Sequence, residues 1–465
     1  MPVGSGGLII GGMRFTEAIF KAYDVRGISG EELTVEVARA YGRAVADYLP
    51  HQGPVIVGRD MRVDSADLAA AVVEGLISQG RDVWDIGLVT TDMVYFAAGR
   101  FEETAGGIMV TASHNPGAYN GLKLVGHGSV PMGAGNGLMD IKQKLLDDNI
   151  KPQAAQPGTV TERAVHDEWV EQILKFVDVP ALKPWHIAVD AGNGMAGAIF
   201  PYLAKQLPFT VDEMYFELDG TFPNHVANPK LRETLRDLCV RVSERGLDFG
   251  LAFDGDGDRG GLVDETGTPV PEFAMGAMLA AHMLKDHPGA SIVYDLRTSH
   301  IVPDTIQKSG GQALRCKVGN DAIKTMMRES GAILGIEASG HYYFRDDFYS
   351  DSGIIAVMSV VSILAQSGKQ LSELVRDYQV YATAEETNFE VADVAAVRAR
   401  LKEAYADGVR DELDGLTVAY PTWWFNLRAS NTEPLVRLNI EADNAALLAD
   451  KQSAVAALIG GTLHG

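Results

Sequence analysis

A chain of 465 residues is longer than one ordinary hydrophobic core organises and divides into about three or four compact units. Its 46% hydrophobic and 22% charged residues are those of a soluble globular protein. The 62 acidic against 40 basic residues leave a formal net charge of −22, a field that repels nucleic acid and anionic membrane and excludes both as expected partners. Any phosphate site must therefore be built from locally clustered Arg, Lys, His and backbone N–H groups.

Along the chain, the opening stretch up to Phe15 has only the short apolar run 8–10, too little for a signal-peptide core. Leu33, Val37, Tyr41 and Val45 recur at helical spacing; 54–57 is an expected strand, 68–77 a helix, 81–89 extended, and 108–110 a strand running into Thr111-Ala-Ser-His-Asn-Pro116. Such alternation predicts βαβ units with a mostly parallel sheet. After a Pro/Gln/Ala/Gly stretch at 151–158, read as a linker, the pattern restarts. Strand 186–189 ends in Asp190-Ala-Gly-Asn-Gly194, and strand 249–253 in Asp254-Gly-Asp-Gly-Asp-Arg259. A third round follows: strand 291–295, helix 300–309, strand 313–318, helix 321–330 and strand 332–336. The apolar run 354–365 is too short to span a bilayer and is an expected buried helix. In the last eighty residues, strands 388–391 and 435–441 and helices 394–405 and 444–458 predict a small α+β unit with an antiparallel sheet. Cys239 and Cys316 form neither a disulfide framework nor a zinc site and fit a reducing cytoplasm.

Four loops carry chemistry, all at strand ends, where α/β folds place ligands. In the first, Ser113 lies just past a strand beside His114, with Lys123 ten residues on, and could carry a phosphoryl group; taken alone, a turn or N-cap serine is the plainer reading. In the second, Asp254, Asp256 and Asp258 alternate with glycines that let the backbone turn sharply enough for three carboxylates to meet on one hard cation. An EF-hand is excluded, because its sixth position needs Gly where this chain has Arg259. Few protein ligands with room for water suit Mg²⁺, a phosphate oxygen completing the shell and Arg259 binding the same phosphate. The third loop, Glu337-Ala-Ser-Gly-His341, offers a carboxylate, a hydroxyl and an imidazole to adjacent sugar hydroxyls, though a structural histidine fits as well. The fourth, Arg428-Ala-Ser-Asn-Thr-Glu-Pro434, can form an anion nest, as can many turns without a ligand. Four such loops in successive units make coincidence a poor explanation.

Taken together, the chain resembles the α-D-phosphohexomutase family, and within it the bacterial phosphomannomutase/phosphoglucomutase branch, from Lys21-Ala-Tyr-Asp-Val-Arg-Gly27 to the Arg428 loop. The resemblance implies four domains around a central cleft, the first three similar α/β units with mixed sheets, the fourth a smaller α+β domain with an antiparallel sheet. The expected divisions are 1–158 (phosphoserine), 159–266 (metal), 267–384 (sugar) and 385–465 (phosphate). It implies that Ser113 is the phosphoserine, and that Asp254, Asp256 and Asp258 hold Mg²⁺ together with Ser113 through its phosphate. Tyr23, Arg26, Lys123 and Arg259 match residues around the transferred group. Glu337, Ser339 and His341 match the sugar loop, and Arg428, Ser430, Asn431 and Thr432 the distal phosphate clamp. Arg297 stands where close relatives often have Lys, and Asn320 where many have His; both lie near substrate in relatives. Asn431 favours the mannose/glucose branch.

The expected activity is interconversion of hexose 1- and 6-phosphates through phosphorylated Ser113 and a 1,6-bisphosphate, with glucose 1,6-bisphosphate as activator. His114, Lys123 and His341 are the candidates for acid–base work. The rivals are a phosphoglucosamine mutase, a sugar-phosphate phosphatase and a non-catalytic sugar-phosphate binder. A cytoplasmic monomer or small homo-oligomer acting on a hexose phosphate is expected.

Overall fold

The computed structural model describes residues 8–10, 13–429 and 435–464. Three mixed sheets follow one another, built on one plan. The first sets Val83–Leu88, Val55–Arg59, Gly106–Val110 and Tyr119–Gly126 side by side, flanked by Val25–Ile28 and Val160–Glu162. The second orders Thr210–Met214, His186–Asp190, Phe249–Phe253 and Gly260–Val263, and the third Gln312–Cys316, Ser291–Asp295, Leu334–Ile336, Tyr342–Phe344 and Ser350–Asp351. In each, three parallel strands in the order second, first, third are followed by a fourth strand antiparallel to the third.

Strand–helix alternation accounts for the parallel trio. The antiparallel fourth strand comes from connection length, since loops 254–259 and 337–341 are far too short for the crossover that a parallel return needs. The third-to-fourth connection is also where the chemistry lies. It carries loop 111–118 in the first unit, 254–259 in the second and 337–341 in the third. The central strands Gly106–Val110, Phe249–Phe253 and Leu334–Ile336 are buried along their whole length, as strands covered on both faces must be.

Helix Val35–Tyr48 starts at Thr34, whose hydroxyl accepts from the Val37 N–H at 3.4 Å, and buries Val37, Tyr41 and Val45 on one face. Helix Gly353–Ser367 starts at Ser352 and ends at Gly368 (φ +67°); it is buried from Gly353 to Leu364, as its unbroken apolar run predicts. Helix Glu272–Asp286 went unpredicted, and strand 313–318 is observed at Gln312–Cys316.

The fourth sheet is antiparallel throughout: Val409–Asp411, Leu416–Tyr420, Trp423–Ala429, Leu435–Ala442, Thr387–Glu390 and Thr462–His464, with Ala382–Thr383 also on Leu435–Ala442. Its helices Val394–Ala404 and Ala445–Ile459 are N-capped by the side chains of Asp393 and Asn444. One apolar core runs through the first three units, including Phe96, Trp169, Phe200, Phe253, Met278 and Val357. The fourth unit has its own, around Val397, Leu401, Phe425 and Leu438. Among the described residues no helix is long and apolar enough to cross a membrane.

Candidate active site

Ser113 is buried at the tip of the first chemistry loop with φ +50°, a left-handed backbone that residues with side chains seldom adopt. Its N–H donates to Thr111 Oγ1 at 2.9 Å, and its hydroxyl donates to Asp254 Oδ2 at 2.8 Å, across the boundary between the first and second units. His114 Nδ1 lies 3.1 Å from the same hydroxyl. Burial, Arg259 and Arg26 push His114 well below the usual histidine range, so its ring is neutral. Arg26 faces the loop from below, donating to Ala112 O at 3.1 Å and Asn115 Oδ1 at 2.7 Å and pairing with Asp24 at 2.5 Å.

The glycines of the Asp loop have a positional reason. A Cβ at Gly255 would lie 2.5 Å from Ser113 O, so only glycine lets the two loops touch there. Asp254, Asp256 and Asp258 converge with one oxygen of each within 4.8 Å of the others, all buried. Lys123 stands opposite Met109 in the first sheet and reaches across to bond Asp256 at 2.7 Å and Asp258 at 2.5 Å. Burial opposes the ammonium charge, but Asp256 and Asp258 outweigh it and hold Lys123 well above the usual lysine value. Burial, Asp258 and Asp256 push Asp254 up; Asp258 is itself held down, against burial, by Lys123 and His341.

This donor set fits a hard divalent cation. Asp256 Oδ1 is buried with no hydrogen-bond partner among the described residues, and Asp258 Oδ1 has there only the His341 ring nitrogen, at 3.5 Å. Arg259 pairs with Asp254 at 3.2 Å and leaves its buried Nη2 equally unpartnered among those residues.

The third loop closes over the same centre. His341 Nε2 is 3.5 Å from Asp258, its Nδ1 3.5 Å from Glu337 and 2.8 Å from Ser339 Oγ. Burial opposes the imidazolium, but Asp258 and Glu337 raise His341 to about 10. Glu337 also accepts from Tyr343 OH at 2.7 Å and from Arg297 at 3.2 Å. Arg297 is already committed to Asp295 at 2.6 Å. Asn320 donates to Asp351 at 3.0 Å, at the start of helix Asn320–Ser330. Tyr23 is exposed and donates to Val318 O at 3.5 Å. Arg428 lies next to the end of strand Trp423–Ala429, opposite Arg437; burial and Arg297 push its guanidinium below the usual arginine value. Ser430, Asn431 and Thr432 lie outside the described residues.

Comparison with known proteins decides what this arrangement belongs to. Residues 17–143, 167–267 and 274–381 match the alpha/beta/alpha domains I, II and III of phosphoglucomutase/phosphomannomutase, and 386–458 match its C-terminal domain. The chain belongs to the phosphoglucomutase/phosphomannomutase family. A phosphomannomutase of Escherichia coli is 39% identical over 452 residues, covering 94% of this chain and 98% of that protein. A phosphomannomutase/phosphoglucomutase of Pseudomonas syringae is 36% identical, with 93% of each covered. The crystal structure of a phosphoglucomutase/phosphomannomutase family protein from Burkholderia thailandensis superposes with a TM-score of 0.89 at 33% identity, covering 97% of this chain and 99% of that one.

For a phosphoglucomutase/phosphomannomutase family member, three groups at this centre escaped sequence reasoning. Arg62 bonds the serine loop through its backbone carbonyls. Thr91 donates from its hydroxyl to Asp256 Oδ2 at 2.6 Å and from its N–H to Asp256 O at 2.9 Å. The fully buried pair Lys324–Asp351 (2.6 Å) lies behind Asn320, its ammonium 4.2 Å from the centre of the Tyr95 ring. None carries a short-range motif. The one available signal is Asp60-Met-Arg62 at the end of a predicted strand, where a ligand loop is expected.

Proposed function

We propose that the chain is a phosphohexomutase of the phosphomannomutase/phosphoglucomutase type, interconverting hexose 1-phosphate and hexose 6-phosphate. The observation that carries this reading is the Ser113 hydroxyl lying 2.8 Å from Asp254 within a carboxylate cluster suited to a cation. Phosphorylated Ser113 donates its phosphoryl group to the free hydroxyl of the bound hexose phosphate. The serine O–P bond breaks, the sugar O–P bond forms, and the hydroxyl proton passes to a base, for which neutral His114 is the candidate; Lys123 and His341, held charged, are the candidates for the acid that protonates the departing serine oxygen. The 1,6-bisphosphate turns end for end and returns its other phosphate to Ser113; glucose 1,6-bisphosphate would activate unphosphorylated enzyme in the same way.

Asp254, Asp256 and Asp258, with a phosphate oxygen on Ser113, would hold Mg²⁺, which when bound neutralises charge on the transferred group. Arg259, with its Nη2 unpartnered among the described residues, Arg26 and Tyr23 face that phosphate. Glu337, Ser339 and His341 read sugar hydroxyls in either orientation, with Arg297 and Asn320 bounding them. Arg428 with Ser430, Asn431 and Thr432 grips the distal phosphate. On this reading the chain divides at about residues 158, 266 and 384 into phosphoserine, metal, sugar and phosphate domains. The free thiols Cys239 and Cys316 support a cytoplasmic location, as a monomer or small homo-oligomer.

The test is turnover of mannose 1-phosphate and glucose 1-phosphate to their 6-phosphates, with Mg²⁺ and a trace of glucose 1,6-bisphosphate. Both should turn over, and Ser113→Ala should abolish turnover while leaving substrate binding largely intact. Full turnover by Ser113→Ala would refute the phosphoserine, and release of inorganic phosphate in place of isomerisation would make the protein a phosphatase.

A further inference from the structure

The serine loop turns through an unusual backbone, and beyond its own Thr111 contact to the Ser113 N–H much of what holds it there lies outside the loop. Four carbonyl oxygens, those of Ser113, Asn115 and Pro116 in the loop and of Tyr119 at the start of the next strand, converge on the guanidinium of Arg62 at 2.8, 2.6, 3.0 and 2.9 Å. Arg62 is 3% exposed and follows strand Val55–Arg59, just before helix Ser65–Ser78. Asp60 fixes it from behind, pairing with its Nε at 3.3 Å and accepting from its N–H at 3.0 Å. Ser65 in turn donates to Asp60 at 2.5 Å.

The second unit closes the other side. The Phe222 ring centre lies 5.1 Å from the Arg62 guanidinium, close enough for a cation–π contact. A Cβ at Gly220 would lie 2.6 Å from Arg62 Cα, and one at Gly117 would lie 2.6 Å from Gly220 O. Strand end, serine loop and second unit therefore meet at one buried cation. No atom of Arg62 is bonded to the Ser113 hydroxyl; its contacts to the loop are all to backbone carbonyls.

We propose that Arg62 is a positioning residue for phosphoryl transfer, holding the serine loop in the conformation that aims Ser113 Oγ at Asp254; this rests on Ser113 as the phosphoryl carrier. The task needs arginine. A planar fork of five N–H donors reaches several carbonyls at once, and a lysine ammonium offers a compact point charge with three. A reacting group displaced by about 1 Å from its productive position loses on the order of 100-fold in rate.

Arg62→Lys and Arg62→Ala decide it, read by kcat and KM separately and by transfer of labelled phosphate from glucose 1,6-bisphosphate onto Ser113. Arg62→Lys keeps a cation beside Asp60. It is expected to lose about 100-fold in kcat and in labelling rate, with KM changed by less than about threefold. Added guanidinium should restore part of the activity of Arg62→Ala, which a general folding defect would not allow. Wild-type kcat and labelling in Arg62→Lys would overturn the proposal, and that variant alone decides if Arg62→Ala does not fold. Absence of label on wild-type Ser113 would instead overturn the phosphoserine reading.

Discussion

The first three units and the fourth are held by different physics. One apolar core passes through all of the first three, beside a separate cluster within each, and polar ties pin it where they meet. The buried Asp92 carboxylate accepts from Thr90, from Ser352 Oγ at 2.6 Å and from Trp169 Nε1 at 3.3 Å, joining all three units at one group. Gln172 adds a bond to Asp346 O at 2.7 Å. The fourth unit keeps its core to itself and meets the body through ion pairs and hydrogen bonds: Arg315 with Asp411, Val318 N–H to Asp414 at 3.2 Å, Arg297 near Glu386 at 3.9 Å, and His300 N–H to Glu441 at 3.0 Å. Ser113 and the three aspartates, which on the proposed function must hold position to a fraction of an ångström, sit in the jointly packed body. The fourth unit, which carries Arg428, meets that body on contacts that water and salt can replace.

The sharpest ways to test that contrast lie in the body. Asp256→Asn, or chelation of the wild type, should lower kcat on the order of 1,000-fold in the hexose phosphate assay. Retained turnover under chelation would remove the cation from the reaction. Lys123→Met strips the buried carboxylates Asp256 and Asp258 of their cation and should destabilise the protein by ~3–5 kcal/mol in denaturant unfolding. Saturating Mg²⁺ should recover much of that loss, and recover more in the variant than in the wild type. Equal recovery in both would mean that the cation does not occupy the Lys123 side of the cluster.

What the sequence discloses follows from where the chemistry is written. Carboxylates spaced by glycines, a Ser-His-Asn-Pro turn and a Glu-Ala-Ser-Gly-His turn announce themselves because their polar side chains lie within a few residues of one another. The structure brings Ser113, Lys123, Asp254 and His341 into one centre from three units. Arg62 left only the faint signal of its place after a strand, because it bonds backbone carbonyls, which leave no trace in residue identity. Thr91 and Asp351 were illegible because each meets its partner from another unit or a distant turn. The parallel strands were readable from alternation, but the antiparallel fourth strands depend on loop length, which periodicity does not report. Strands Leu416–Tyr420 and Trp423–Ala429 escaped because buried residues follow one another, Leu416 to Val418 and Trp423 to Leu427, and break the period of two.

Smaller effects probe the fourth unit's attachment. Glu441 is buried and accepts from Trp424 Nε1 at 2.8 Å and from the His300 N–H, so Glu441→Leu leaves two donors unpaired and should weaken docking by ~1–3 kcal/mol. The expected sign is earlier protease cleavage between the third and fourth units, more marked at high salt. Cleavage at the wild-type rate would show that the fourth unit is held by something other than these polar ties.

The smallest expected effect returns to the body's dry junction. Burial, then the neighbouring Asp92, pushes Asp347 up to about 8, and Gln172 donates to it at 3.1 Å. Asp351 adds to the rise, and Lys324 works against it. The folded protein thus keeps this proton up to about pH 8, whereas the unfolded chain releases it near 3.8. Between those values the folded state binds more protons, so this group's contribution makes stability fall as pH rises from about 4 to 8 and level off above. Asp347→Asn removes the titration while keeping a polar group for Gln172. Relative to wild type, the variant's Tm should gain on the order of 2–4 °C between pH 5 and pH 8. Parallel Tm profiles for the two proteins would mean that Asp347 ionises freely in the folded state. The junction would then be wet, and the shared core would not be what sets the first three units apart from the fourth.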